Sequence, residues 1–213
     1  LRALPNLLAV LGNHDAALLD LAGIEREGAR HESPTAGADV TSDVQAVLSE
    51  QASRISGDTL AWLASLPVRV ETGSMLLVHG SPVSPWQYVT GERAALDAWD
   101  AFDQRLALVG HTHVPRLDLV TTAPHGERLT RGVPFLDHAS SFVVPGAARA
   151  IFNPGSVGQP RDGSAHASYG FIDDAKLCRL DVIRVPYDVA KAQARILAAG
   201  YPPAFASRLA EGR

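Results

Sequence analysis

Cysteine is almost absent from this sequence, with Cys178 alone among 213 residues. One thiol cannot close an internal disulfide, so the fold has no covalent staple, and a reducing, cytoplasmic setting is the expectation. Within Lys176-Leu177-Cys178-Arg179-Leu180, which has the pattern of a strand, Cys178 reads as a small buried hydrophobe rather than a nucleophile. Long apolar runs are missing too. None approaches the roughly 20 residues that cross a bilayer, so no membrane span is expected. No run of Lys and Arg forms a basic face, and 19 basic against 23 acidic residues leave a net charge of −4 with a pI near 6.0. That argues against a nucleic-acid or membrane-surface partner. A phosphate-bearing ligand would need local help from metals or a few placed arginines, because the chain as a whole weakly repels it. No signal peptide is visible, and the first residue is Leu1 rather than Met.

What is present suits a globular core. Hydrophobic residues make up 46% of the chain, and this length supports a single α/β core. No internal repeat or linker divides it, so one domain over 1–213 is expected. Leu7–Leu11 is a continuous apolar run read as a buried, parallel strand. A helix follows from Asp15 to Leu21, then a loop through Pro34 and Gly37. Ser42-Asp43-Val44-Gln45 has capping-box spacing ahead of a helical stripe, and Asp58 caps a second short helix stopped by Pro67. Val68–Glu71 and Ser74–Val78 read as a hairpin around Thr72-Gly73. Arg93–Gln104 reads as helix and Leu106–Val109 as strand. Pro115–Ala148 reads as turn-rich with short alternating pieces, and Arg149–Phe152 as a short strand. Tyr169–Ile172 and Cys178–Val185 form a second hairpin around Asp173-Asp174. Asp188 caps a helix that Gly200 ends, and Pro202-Pro203 starts one more.

Three of the apolar strands end alike, in Gly12-Asn13-His14-Asp15, His79-Gly80-Ser81 and Gly110-His111-Thr112-His113. Open α/β sheets bind ligands at the carboxyl ends of their strands. Imidazole and amide oxygen are both metal donors, and glycine leaves room for an ion or phosphate near the chain. His111 and His113 are two apart, which in an extended segment directs both side chains to one side. Any one of these histidines alone reads as a polar loop residue; the repetition at three strand ends makes a site.

The ordered set Gly-Asn-His-Asp, Val-His-Gly-Ser-Pro and Val-Gly-His-Thr-His resembles the calcineurin-like metallophosphoesterases. Asn153-Pro154-Gly155-Ser156-Val157-Gly158-Gln159-Pro160-Arg161 looks like a later segment of their small bacterial, phosphodiesterase-like branch. The resemblance runs from Leu7 to the last helix. It implies an α/β fold of two packed β-sheets flanked by helices, and hydrolysis of a phosphate mono- or diester, nucleotides included. A dinuclear centre with a metal-bound hydroxide nucleophile goes with it. Two divalent ions are implied, Mn first, with Fe, Zn or Ni as alternatives. Asn13, His79 and His111 would ligate one ion and His113 the other. His14 would be the general acid rather than a ligand, and Asp15 would orient the segment or start its helix. Arg161 would grip a substrate phosphate, with bracing of its loop an equal reading.

The sequence departs from the family pattern before Gly12. The Asp-x-His and bridging Gly-Asp segments have no counterpart in Leu1–Leu11, so the expectation is a truncated domain that lacks its first strands and helix. Such a fragment would be weakly active or inactive, and its uncovered sheet edge could make it a homo-oligomer. The alternative function is a non-catalytic interaction scaffold on the same fold, for which His14 has no use. Outside the motifs, His31, His125, His138 and His166 read as surface histidines. Asn153-Pro154-Gly155 reads as a structural turn beside the site, and Trp62, Trp86 and Trp99 as core or cleft-wall aromatics.

Overall fold

A computed structural model of the chain describes residues 2–25, 41–135, 140–173 and 178–213. The loop through Pro34 and Gly37, His31, His138 and the Asp174 half of the second hairpin turn lie outside the described residues. Two β-sheets pack together with helices outside them. Among the described residues the larger sheet has six strands in the order β1-β2-β3-β7-β4-β5, and the smaller has three in the order β6-β9-β8. In the larger sheet these are β1 (Arg69–Thr72), β2 (Met75–Val78), β3 (Leu106–Leu108), β4 (Arg116–Thr122), β5 (Arg128–Pro134) and β7 (Arg149–Asn153). The smaller sheet contains β6 (Ser140–Val143), β8 (Ala167–Asp173) and β9 (Arg179–Val185). The strands β2, β3 and β7 run parallel at the centre, so their carboxyl ends open on one side of the sheet.

Alternation along these strands separates two cores. Leu106, Leu117, Leu119, Ala150 and Phe152 face the smaller sheet and meet Leu180 and Val182 there. Cys178 is 2% exposed in this cluster, the small buried hydrophobe its sequence context implied. On the other face, Leu76, Val78, Ala107 and Ile151 pack under α4 (Glu92–Asp97) and the 3-10 turn Trp99–Ala101. A third cluster joins α1 (Asn13–Leu21), α2 (Ser42–Arg54) and α3 (Gly57–Ala64) around Leu11, Leu19, Leu48 and Leu63. The chain closes with α5 (Val189–Ala198), capped by the Asp188 carboxylate on the Lys191 N–H, and α6 (Pro203–Glu211). Among the described residues no helix is long and apolar enough to cross a membrane.

Several expectations need correcting. Leu7–Leu11 is not a strand. A strand exists only as a ladder, and among the described residues this segment's one backbone bond to a distant part of the chain is Leu11 N–H to the Pro67 carbonyl at 2.9 Å. Leu11 is fully buried, whereas Leu8 is 53% exposed. The helix expected over Arg93–Gln104 stops at Asp97, and the chain turns extended at Phe102 so that this ring enters the core. Pro115–Ala148 holds two seven-residue strands, β4 and β5, paired from Arg116↔Pro134 to Thr122↔Arg128. The sequence conceals β5 because it is an edge strand with little buried side-chain surface. The caps of α2 and α3 are Thr41 and Ser56, whose hydroxyls accept from Val44 and Thr59, rather than Ser42 and Asp58.

Candidate metal centre

Asn13, His14, Asp15, His79, His111, His113 and Arg161 all line one cavity of about 240 Å³, together with Gly12 and Tyr88. Three structural features bring them there. The turn from Leu11 into α1 places Asn13 and His14 in the first helical turn, where the Asp15 carboxylate accepts the Gly12 N–H at 3.0 Å and fixes the helix start. The end of β2 delivers His79. The loop after β3 delivers His111 and His113, and Gly110 N–H ties it to the His79 carbonyl at 2.8 Å.

His111 and His113 do not share a side by being extended, as their spacing suggested. Both lie in the left-handed region, with φ 63° and 60°, a conformation that costs a side chain on the order of 1 kcal/mol. Asn153, 3% exposed at the end of β7, holds the loop in that shape. Its amide donates to the Gly110 carbonyl at 2.6 Å and the Thr112 hydroxyl at 2.9 Å, and its oxygen accepts the Gly155 N–H at 2.9 Å. The segment read as a turn beside the site is thus the brace of the histidine loop.

At the floor of the cavity His79 Nε2 lies 3.0 Å from Asn13 Oδ1 and 3.1 Å from His111 Nδ1. The opposite nitrogen of His111 donates to the Trp86 carbonyl at 3.1 Å, since a carbonyl can only accept. That fixes the tautomer and leaves Nδ1 of the neutral ring as a lone pair. Tyr88 stacks on the same ring at 4.0 Å. His113 is held likewise. Its Nδ1–H donates to the Gln159 carbonyl at 2.8 Å, which leaves Nε2 as the lone pair. The Arg161 N–H returns to the His113 carbonyl at 3.2 Å. Neither the Trp86 carbonyl nor the Tyr88 ring was found from sequence. A backbone carbonyl carries no residue signature, although two aromatics soon after His79-Gly80-Ser81 were a usable hint.

This donor set fits a divalent ion. Metal–ligand bonds of about 2.1 Å at right angles put neighbouring donors roughly 3.0 Å apart, the separation seen around His79 Nε2. The lone pairs of Asn13 Oδ1 and His111 Nδ1 both face that nitrogen, and one N–H cannot serve the two well; a cation would satisfy all three donors. Burial, followed by the charges of His111, His113 and His14, pushes the His79 pKa down to about 3, which keeps its ring neutral. Burial and the Arg161 charge push His113 down to about 4, against the opposing hydrogen bond to Gln159. The trio is two histidines and an amide. Among the described residues no three His, Cys, Asp or Glu side chains gather as a metal-binding group.

The remaining residues fall outside this constellation. His125 and His166 are exposed, as expected of surface histidines. Trp62 and Trp86 pack against the helical core and Trp99 lies 3.7 Å under the Arg149 guanidinium, so the three are structural.

Comparison with known proteins bears on the family and the fold. The family model for the calcineurin-like phosphoesterase superfamily domain matches residues 1–175. An uncharacterized protein of Methanocaldococcus jannaschii, MJ0912, is 32% identical over 165 residues, covering 75% of this chain. The chain spans 62% of the length of that relative. Among solved structures, a metallophosphoesterase from Sphaerobacter thermophilus superposes with a TM-score of 0.76 at 33% identity. That match covers 100% of this chain and 79% of the other. A hypothetical protein of Pyrococcus horikoshii, PH1004, gives 0.67 at 18% identity over 98% of this chain and 74% of its own, a likeness of fold alone.

Proposed function

The chain belongs to the calcineurin-like phosphoesterase superfamily, and from that premise we propose that it hydrolyses a phosphate mono- or diester, nucleotide esters included, with divalent cations bound in the cavity. The supporting observation is the meeting of His79 Nε2 with Asn13 Oδ1 and His111 Nδ1 at 3.0 and 3.1 Å. On this reading Asn13, His79 and His111 hold one ion and His113 contributes to a second. Mn suits a site that mixes imidazole with amide oxygen, and Fe, Zn or Ni are alternatives. Bound ions supply Lewis-acid polarisation of the phosphoryl oxygens and acidify the attacking water. His14 is exposed in the first turn of α1 and lines the same cavity, where it protonates the leaving oxygen. Arg161 grips a non-bridging oxygen with its guanidinium, and Asp15 keeps the first turn of α1 in place. Residues 1–213 act as one domain on a small-molecule ester, and a single cysteine in the sequence suits a cytoplasmic setting.

The test is an assay of Mn-loaded protein on bis-p-nitrophenyl phosphate and p-nitrophenyl phosphate, with bound metal measured in parallel. Weak turnover that a chelator abolishes and Mn restores is the expected result. Metal-loaded protein that turns over neither ester would defeat this reading. It would favour the interaction scaffold.

A further inference from the structure

On the reading that His113 serves a second ion and Arg161 grips phosphate, we propose that Asp162 and Arg184 are positioning residues. Their buried ion pair holds the Gln159-Pro160-Arg161 loop against His113, and so sets which ring nitrogen of His113 is free to ligate and where Arg161 stands. The observation behind it is an unbroken chain of contacts from β9 to the cavity. Arg184 lies in β9, and its guanidinium pairs with the Asp162 carboxylate, the two side chains being 3% and 9% exposed. Asp162 directly follows Arg161, which lines the cavity. Two hydrogen bonds then join the loop to His113. The His113 Nδ1–H donates to the Gln159 carbonyl at 2.8 Å, and the Arg161 N–H donates to the His113 carbonyl at 3.2 Å.

A buried pair of this kind is a poor source of stability, because desolvating both charges offsets most of their attraction. Here the offset is incomplete. Asp162 Oδ1 and Arg184 Nε and Nη1 are buried without a hydrogen-bond partner among the described residues, and each such atom is a further cost. What the pair does supply is a preferred placement, since the carboxylate must stay at the guanidinium. The loop has need of that. From Pro154 to His166 it contains no helix or strand. Its first half is tied to β8, where Ser168 N–H donates to the Ser156 carbonyl at 2.8 Å and the Ser156 hydroxyl accepts the Gln159 N–H at 3.0 Å. Its second half is tied to the end of α6 by Gly163 N–H on the Gly212 carbonyl at 3.0 Å. Asp162 is the charged link between the two. The Arg161 guanidinium makes only a long hydrogen bond of 3.3 Å to Gln159 Oε1, within the same loop, so its position follows the loop's.

The chemical consequence lies in the tautomer. While the Gln159 carbonyl stays in place, the proton sits on Nδ1 and Nε2 keeps its lone pair. If the loop shifts, Nδ1 loses its acceptor and the proton moves to Nε2, the form an unconstrained imidazole favours. An Nε2–H cannot ligate, and Arg161 moves with the same backbone.

Long-range proton–nitrogen NMR spectra of nitrogen-15-labelled protein, kept in a chelator at neutral pH, distinguish the two tautomers of His113. The unmodified protein should show Nδ1–H. Asp162→Leu combined with Arg184→Met removes both charges together, which is often close to neutral for stability, and thermal melting reports whether the protein is folded. In that variant His113 should pass mostly to Nε2–H, and in the Mn-loaded protein inorganic phosphate should bind about tenfold more weakly by calorimetry. Arg184→Lys keeps a cationic donor for Asp162 and should retain most of the Nδ1–H form. If the double variant does not fold, Asp162→Asn takes its place with a shift in the same direction. A folded variant that keeps the His113 tautomer or the phosphate affinity of the unmodified protein overturns the proposal, as does Nε2–H in the unmodified protein. Failure of the unmodified Mn-loaded protein to bind phosphate or turn over esters would count against the hydrolase reading only, because the tautomer is read without metal or ester.

Discussion

A histidine that faces two lone pairs is a poor hydrogen-bonding partner and a good ligand, and His79 is in that position between Asn13 and His111. Replacing His79 or His111 with Ala should therefore lower bound Mn, measured by elemental analysis. His14→Ala should leave metal content nearly intact. It should slow esters with poor leaving groups by about 10²–10⁴-fold and p-nitrophenyl esters far less, because nitrophenolate needs little protonation. Equal losses on both esters would remove His14 from the general-acid role. Gly12 makes a finer test of the same site. A Cβ there would lie 3.1 Å from Asp15 Oδ2 and 3.3 Å from the His79 ring, at an ordinary φ of −91°. Gly12→Ala should thus press on His79 without straining its own backbone. The expected result is weaker Mn binding by calorimetry with a small change in the unfolding midpoint; unchanged binding would mean that His79 has slack.

Elements differ in how openly the sequence announces them. Residues such as His79 and His111 were legible because short parallel strands buried on both faces stop abruptly at Gly- and His-rich clusters. The hairpin β1–β2 and the caps of α5 and α6 were legible because turn and cap chemistry is local. Leu7–Leu11 misled because apolar composition reports burial and cannot report whether a ladder partner lies alongside. The edge strand β5 was hidden for the opposite reason, since it pairs well and buries little. Least legible was the loop after β3, whose left-handed His111 and His113 depend on Asn153 some forty residues away on the adjoining strand β7. Asn153→Ala removes two donors and one acceptor from that buried junction, takes away the Asn153 partner of the Gly155 N–H and leaves the Gly110 carbonyl only the Thr112 N–H at 2.7 Å. It should cost about 2 kcal/mol or more in urea denaturation and lower Mn affinity in the folded protein. Full stability with full metal binding would show that the loop keeps its shape unaided.

The whole molecule feels the site through its protons. His79 and His113 have pKa values pushed to about 3 and about 4, chiefly by burial, against an ordinary value of 6.5. An unfolded chain takes up these protons as the pH falls below 6.5, and the folded chain refuses them until much lower. Between those limits the unfolded state binds more protons, so stability rises with pH and is lost on acidification. Between pH 6.5 and about pH 5 the ordinary carboxylates are still ionised, which leaves histidines to dominate that window. Metal binding moves the same way, because a protonated imidazole cannot ligate. In a chelating buffer the urea midpoint should fall steadily from pH 7 to pH 5, and His79→Ala should flatten the fall. With Mn present the wild-type curve should steepen, since acid then releases the ion as well as unfolding the chain. A midpoint that holds level or rises on acidification would mean that these two rings accept protons in the folded state. The neutral donor set around Asn13 would then have to be reconsidered along with the ion it is proposed to hold.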